Sequence, residues 1–218
     1  RNCDWSSDVC SSDLPYEEQL KYKQREVEQQ LRRIGKLEIP QLNPIIGSEA
    51  TSHYRNKLEF TFSNRRYLTK EELDHRISSR IQNETREIPE DPALGFHVPR
   101  LFDKVIDIKD CHLQPEPSNA IRLFIRQFAI EHGFSFYDIR AHQGWLRTVI
   151  IRTSSMNETM VHLTFGYDKE DDRRQLLDAL LVAFPQITTL IYTINPKWND
   201  SIQDRKSTRL NSSHSSVS

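Results

Sequence analysis

The sequence predicts an α+β fold, in which an antiparallel-rich sheet carries its helices on one face. Three observations lead to this prediction. Residues 53–63 alternate between polar and apolar side chains, as in a half-buried strand. Residues 118–133 and 169–184 repeat their apolar side chains with the period of a helix. The last third of the chain is ordered as helix, three strands, helix and strand, which favours a sheet layered against helices.

The first half contains one clear helix and one clear strand. Residues 17–34 are predicted to be an amphipathic helix, with acids in its first turn, bases in its last turn and Gly35 as its stop signal. Residues 40–51 are predicted to be a loop. In the strand at 53–63, Leu58, Phe60 and Phe62 point to the core and the intervening polar residues point outward. Residues 69–92 are polar and lack a durable period, which predicts an insertion that is partly helical or mobile.

The second half is more regular. Strands at 94–98 and 104–108 are joined by a turn at 99–103. Ser118 is placed to cap a helix that ends at Gly133. Strands at 134–140, 145–153 and 159–165, separated by turns, predict a meander. A helix at 169–184 and a strand at 187–194 complete the order.

Both ends of the chain are expected to be translated sequencing adapter. The segments DWSSDVCSSD and DRKSTRLNSSH correspond to opposite strands of one adapter oligonucleotide, read in different frames. We therefore assign residues 1–14 and 203–218 to adapter and exclude them from fold reasoning. Of the three cysteines, only Cys111 then belongs to the natural segment. That segment is expected to be a fragment of a longer protein.

Composition excludes several functional classes. Lys and Arg number 30 and Asp and Glu 31, a net charge of −1, so any nucleic-acid binding depends on where the cations lie. No glycine-rich phosphate loop, G-x-S-x-G elbow or H-x-x-x-H spacing is present in the sequence. The lack of an apolar run of membrane-spanning length, of a signal peptide and of a disulfide framework predicts a cytoplasmic protein that is not bound to a membrane.

A row of cations is the strongest binding signal among the residues themselves. Arg55 and Lys57 lie two positions apart in the predicted strand, so both project from the face opposite its apolar residues. Arg65 and Arg66 extend this row past the strand end, and such a row suits contacts with phosphate groups. The alternative is a solvated outer face on which Lys57 pairs with Glu59 or another neighbour.

Other residues are weaker candidates for contacts with phosphate groups or bases. Arg147 and Arg152 are five positions apart on one predicted strand, so at most one of them joins a common surface. Aromatic side chains can stack on unpaired bases. Periodicity assigns Phe60, Phe62, Phe124 and Phe128 to the core. It leaves open the roles of Tyr54, Phe96 and Trp145.

Three sequence blocks carry a resemblance to a known family. They are LPYEEQLKYKQREVEQQLRRIG, YRNKLEF and LGFHVPRLFDKVIDIKDC, in this order. From residue 14 to about residue 202, the chain resembles the RNA uracil-5-methyltransferases, in particular the ribosomal RNA enzymes that carry an iron–sulfur cluster. In that subfamily a cysteine-rich motif precedes the first block, and a fourth cluster cysteine stands where Cys111 stands here. The resemblance implies that Cys111 is a 4Fe-4S ligand in the complete protein.

The same resemblance implies how the chain is divided. Residues 15–39 would be a linking helix after the missing cluster motif, and residues 40–202 a central α+β RNA-binding domain. In this family a C-terminal Rossmann-like domain holds the catalytic residues and S-adenosylmethionine. This chain is therefore expected to lack both and to be inactive alone. The implied partner is ribosomal RNA, or transfer RNA, bound by a monomer through the four predicted cations Arg55, Lys57, Arg65 and Arg66.

Two alternatives stay open at this point. Cys111 is a cluster ligand or a small buried hydrophobe, as free cysteines often are. The chain belongs to a methyltransferase or is a non-enzymatic α+β module that binds RNA or another protein.

Overall fold

The structure, a computed structural model, describes residues 14–83 and 91–198 and the backbone of residues 207–210; of residues 80–83 only the backbone is described. The adapter assignments, with Cys3 and Cys10, lie outside the described residues except for Leu14 and residues 207–210. The chain forms two compact units, residues 1–52 and residues 53–218.

The first unit contains helix α1, Tyr16–Arg33, close to the predicted 17–34. Glu17 and Glu18 lie in its first turn, where they suit the positive end of the helix dipole. The extended segment that follows is tied back to the helix by hydrogen bonds. The Gln24 amide donates to the Asn43 carbonyl at 3.1 Å, and the Tyr16 hydroxyl accepts from the Ser48 amide at 2.6 Å.

The second unit is built on one sheet. Its elements, among the described residues, are β1 Lys57–Ser63, α2 Lys70–Asn83, β2 Ala93–Val98, β3 Leu101–Asp107, α3 Ser118–Glu131, β4 Leu146–Thr153, β5 Thr159–Phe165, α4 Glu170–Ala183, β6 Ile187–Ile194 and β7 Ser207–Leu210. The strand order is β3-β2-β1-β4-β5-β6-β7. All neighbouring pairs are antiparallel except β5 and β6, which α4 connects in parallel. The prediction of an antiparallel-rich sheet is confirmed.

The core lies between this sheet and helices α3 and α4, which pack on the same face. Leu58, Phe60 and Phe62 of β1 belong to one buried cluster, as their alternation predicted. The same cluster contains Ile121 and Ile125 of α3 and Leu176, Leu177 and Leu180 of α4. Full burial of each large apolar side chain contributes roughly 1.5–3 kcal/mol to folding.

Three local predictions are wrong. The strand predicted at 53–63 begins only at Lys57. The run at 134–140 makes isolated bridges instead of a strand, because Asp138 Oδ1 accepts from the amides of Arg140 and Ala141 and bends the chain. Ser118 lies inside α3 and not at its cap, and its hydroxyl donates to Gln114 Oε1 at 2.6 Å.

Within the part of the chain that the structure describes, no helix is both long enough and apolar enough to cross a membrane. The polar insertion at 69–92 contains α2, and its residues 84–90 lie outside the described residues.

Candidate nucleic-acid interface

The sheet face turned away from α3 and α4, here called the outer face, carries two cations at one end. Lys57 of β1 and Arg152 of β4 are directly paired in the antiparallel register, so their side chains share this face. Both are exposed. Lys57 Nζ lies 3.9 Å from Glu59 Oε2, with both side chains more than two-fifths exposed. Such a pair contributes little, so the Lys57 ammonium is available to a phosphate.

Arg55 lies just before β1 instead of within it. Its amide donates to the Leu113 carbonyl at 2.8 Å, and the His53 amide donates to the His112 carbonyl at 2.7 Å. These two bonds hold the segment extended although no strand is formed. The Arg55 side chain is exposed and makes no ion pair with any described residue. Sequence periodicity missed this pairing because the partner is a loop and not a strand.

Arg65 and Arg66 lie beyond the other end of β1, about 20 Å from Lys57 by the rise of a seven-residue strand. Arg65 Nη2 contacts Asp138 Oδ2 at 3.2 Å. Arg66 contacts Glu72 at 3.0 Å and Asp91 at 3.2 Å. A phosphate would have to replace these carboxylates. The four predicted cations therefore form two separate groups, and only the first is free of strong internal ion pairs.

A cleft of about 500 Å³ opens beside Arg65 and is here called the loop pocket. Its lining comes from the end of β1, the 135–147 segment and the chain after β5 and β6: Asn64, Ser135, Phe136, Tyr137, Asp138, Ala141, His142, Gln143, Gly144, Arg147, Gly166, Tyr167, Asn195 and Pro196. Two glycines let its walls approach each other. A Cβ on Gly144 would lie 2.5 Å from the Phe136 carbonyl oxygen, and one on Gly166 would lie 2.4 Å from the Gly144 carbonyl oxygen.

Asp138 holds the loop pocket together. Its carboxylate accepts from the Arg140 and Ala141 amides at 2.8 and 3.1 Å, and from Asn64 Nδ2 and Arg65 Nη2 at 3.2 Å each. Burial alone would raise the pKa of this carboxyl, but the four donors outweigh burial and lower the pKa from 3.8 to about 2. The carboxylate is therefore ionised throughout the physiological range.

Arg147 belongs to the pocket wall and not to the outer surface. Its side chain is 2% exposed, its guanidinium lies 4.2 Å from the centre of the Tyr137 ring, and it donates to the Asn195 carbonyl at 2.9 Å. Of the two arginines predicted on this strand, Arg152 thus joins the outer face with Lys57. The β-bulge between Leu146 and Thr148 displaces Arg147 from the strand's alternation.

Of the three aromatic residues whose roles periodicity left open, two pack against the core and one lies on the surface. Trp145 is 1% exposed and stacks on Phe165 in the core, and Phe96 stacks on Phe60 at 5.1 Å. Tyr54 is 57% exposed. Sequence reasoning missed Trp198, which is 76% exposed and stacks on the His142 ring of the loop pocket. The only signal for it was an isolated tryptophan in the polar segment that follows the last predicted strand.

Cys111 is a buried free thiol on a rigid turn. The Asn119 amide oxygen accepts from the Cys111 amide at 3.1 Å, and Asn119 Nδ2 donates to the Cys111 carbonyl at 3.2 Å. Beneath the turn, the buried guanidinium of Arg122 donates to the carbonyls of Ile108 and Lys109. Among the described residues, no group of three His, Cys, Asp or Glu side chains could hold a metal. One thiol does not make a cluster site, so these residues alone do not fit a 4Fe-4S cluster.

The described residues contain no glycine-rich turn of the kind found in Rossmann-like domains. In such domains a glycine-rich turn between a strand and a helix N-terminus approaches the phosphates of a bound dinucleotide. The nearest equivalent here, between β5 and α4, contains Gly166 alone, which packs on Gly144.

No family model matches the chain. A Bacteroides thetaiotaomicron protein named "uncharacterized RNA methyltransferase" is 47% identical over 194 residues, which are 88% of this chain and 41% of that protein. A Porphyromonas gingivalis protein of the same name is 46% identical over 195 residues, with the same coverage. A Chlorobaculum tepidum RNA methyltransferase, also uncharacterized, is 36% identical over 188 residues, 85% of this chain and 37% of that protein. The chain thus spans about two-fifths of the length of these relatives.

The fold has a solved counterpart. The tRNA (uracil-54, C5)-methyltransferase of Pyrococcus abyssi, solved in complex with S-adenosyl-L-homocysteine, matches with a TM-score of 0.55 and 19% sequence identity. The match covers 87% of this chain and 36% of that one. At this identity the likeness shows a shared fold.

Proposed function

We propose that residues 15–202 are the central RNA-binding portion of an S-adenosylmethionine-dependent RNA (uracil-5-)-methyltransferase that acts on ribosomal or transfer RNA. The observation that carries the proposal is the similarity to proteins named RNA methyltransferases, which extends over 88% of the chain at 47% identity. The shared fold with a tRNA uracil methyltransferase supports the choice of uracil as the target base.

The chemistry is assigned to parts of the protein outside residues 15–202. S-adenosylmethionine would donate the methyl group from a Rossmann-like domain, which is where the relatives' additional length is proposed to lie. Cys111 would be one of four thiolate ligands of a 4Fe-4S cluster in the complete protein. The Asn119 side chain bonds the backbone of Cys111, and Arg122 bonds the nearby carbonyls of Ile108 and Lys109. These bonds support the role, because a ligand thiol must be held in place by its surroundings.

Phosphate contacts are assigned to Lys57 and Arg152 on the outer face and to the exposed Arg55 just before β1. These three side chains are exposed, and none is neutralised by a short ion pair with a described residue. Arg65 and Arg66 are assigned a structural role, since their carboxylate partners lie within 3.2 Å and a phosphate would have to displace them.

The salt dependence of RNA binding tests the phosphate contacts. Each contact with a single strand contributes about 0.7 to the slope of log K against log salt. In the purified chain, Arg55→Ala with Lys57→Ala should flatten the slope by about 1.4 for single-stranded RNA. The control is Arg174→Ala, which removes an exposed cation from α4 on the opposite side of the sheet. An unchanged slope in the double variant would show that Arg55 and Lys57 do not contact RNA phosphates.

Methyl transfer is tested with the complete protein from the same locus. Incubation with S-adenosylmethionine and unmodified ribosomal or transfer RNA should produce 5-methyluridine, detected by mass spectrometry of the digested RNA. RNA binding without methylation would favour the non-enzymatic module instead.

A further inference from the structure

We propose that Trp198 and His142 form a stacking platform for an unpaired base of the bound RNA, at the mouth of the loop pocket. This inference deepens the proposed function and rests on it. The platform would bind a base, whereas Arg55, Lys57 and Arg152 would bind phosphate groups.

The geometry of the two rings is the first observation. The Trp198 indole and the His142 imidazole lie 4.6 Å apart between centroids and only 6° from parallel. The indole is nevertheless 76% exposed. One of its faces is therefore covered by the imidazole, and the other is held open to solvent. An exposed tryptophan held in one orientation is the arrangement that stacks on bases, because every base offers a π-face.

The backbone under the platform is fixed in place. His142 has a φ of 54°, in the left-handed region that few non-glycine residues occupy. The turn that contains it is closed by hydrogen bonds between the backbones of Asp138 and Gln143, at 2.6 Å in one direction and 3.3 Å in the other. The ionised Asp138 carboxylate adds the bonds already described. The imidazole is thus positioned before any ligand arrives.

The adjoining cavity suits a base and its sugar. Its volume of about 500 Å³ lies within the range of roughly 300–1,000 Å³ typical of ligand pockets. His142 lines this cavity, and its buried Nδ1 has no hydrogen-bond partner among the described residues. Tyr137 and the Arg147 guanidinium stacked on it supply further π and cationic surface.

The platform lies on the same side of the sheet as the proposed phosphate contacts. Trp198 borders a narrow crevice together with Thr61 and Thr148, which are register partners on the outer face. Thr61 is four residues from Lys57 along β1, or about 13 Å. Along β1 itself, Lys57 and Glu59 are exposed and Thr61 is half-buried, so a single RNA strand that follows β1 would reach Lys57 at one end and the platform at the other.

Binding of a fluorescein-labelled oligouridylate to the full chain, followed by anisotropy, tests the platform. Loss of one base stack should weaken binding about 5- to 150-fold in Trp198→Leu, which keeps an apolar side chain but has no π-face. Trp198→Phe should retain most of the affinity. The matched control is Val182→Ala on α4, which alters a side chain that is 84% exposed on the other side of the sheet.

The salt slope separates this inference from the proposed function. Stacking releases no counterions, so Trp198→Leu should lower affinity without changing the slope, whereas the Arg55 and Lys57 variant should change the slope. Equal affinity of Trp198→Leu and the unmodified chain, or an equal loss in Trp198→Phe, would overturn the platform and leave the phosphate contacts standing. Failure of the unmodified chain to bind any RNA would overturn both.

Discussion

Replacement of Asp138 by asparagine should loosen the loop pocket, and the pKa of this carboxyl sets the size of the effect. A fall from 3.8 to about 2 corresponds to about 2 kcal/mol of folding free energy, since each pKa unit is worth about 1.4 kcal/mol. Asparagine keeps one acceptor oxygen. Its amide group would face donors, either Asn64 and Arg65 or the amides of Arg140 and Ala141.

The pH dependence follows from the direction of this shift. Because the folded-state pKa of Asp138 lies below its unfolded value, its contribution is complete above about pH 4 and is lost as the pH falls towards 2. Urea unfolding of the full chain should show Asp138→Asn to be about 2 kcal/mol less stable at pH 7. The difference in unfolding free energy between Asp138→Asn and the unmodified chain should become smaller between pH 4 and pH 2.

Asp178→Asn is the control, because Asp178 is exposed on α4 and makes no ion pair or hydrogen bond with a described residue. Its stability difference should stay near zero at every pH. A gap between Asp138→Asn and the unmodified chain that stays constant from pH 7 to pH 2 would refute the electrostatic argument for Asp138.

Three further changes probe other parts of the fold. Gly144→Ala should lower the free energy of unfolding in urea by at least about 2 kcal/mol, since the new Cβ would lie 2.5 Å from a backbone oxygen. Gly133→Ala has open space around its Cβ and should cost only about 1 kcal/mol. Equal costs would contradict the argument from close approach. Burial lowers the pKa of His162 below 6.5, so the unfolded chain takes up the proton first and stability should fall as the pH drops below about 6.5. His162→Gln should remove that component from the unfolding midpoints measured between pH 7.5 and 5.5, and an unaltered profile would count against it. Arg122→Met should lower stability by about 2–4 kcal/mol, because the carbonyls beneath the Cys111 turn lose their buried donor; a melting temperature equal to that of the unmodified chain would exclude this role.

The parts of the fold that sequence predicted well are those in which one period dominates. Helix α4 was predicted within one residue at each end, because Leu176, Leu177 and Leu180 pack on one buried face. Strand β6 was predicted at its observed bounds as a short apolar run, although residues on both of its faces are buried. The prediction of 134–140 as a strand failed for a different reason. The alternation is present there, but Asp138 takes up the neighbouring amides and competes with strand pairing.

The candidate site was only partly predictable. Exposure of Lys57 follows from its position in an alternating strand, and this part of the prediction agrees with the structure. The ion pair of Arg65 joins residues 73 positions apart, so no local pattern could show that its charge is already used. The stacking of Trp198 on His142 is likewise a contact between distant segments, and a single exposed tryptophan has no periodicity to reveal it.

The loop pocket draws its walls from stretches as far apart as Asn64 and Asn195. Such a cavity exists only when most of the sheet has paired. A ligand that occupies it would bind only the folded chain. The unfolding temperature of the entire second unit should therefore rise with ligand concentration. Shortened versions that end before residue 195 would lack one wall and should gain no such protection.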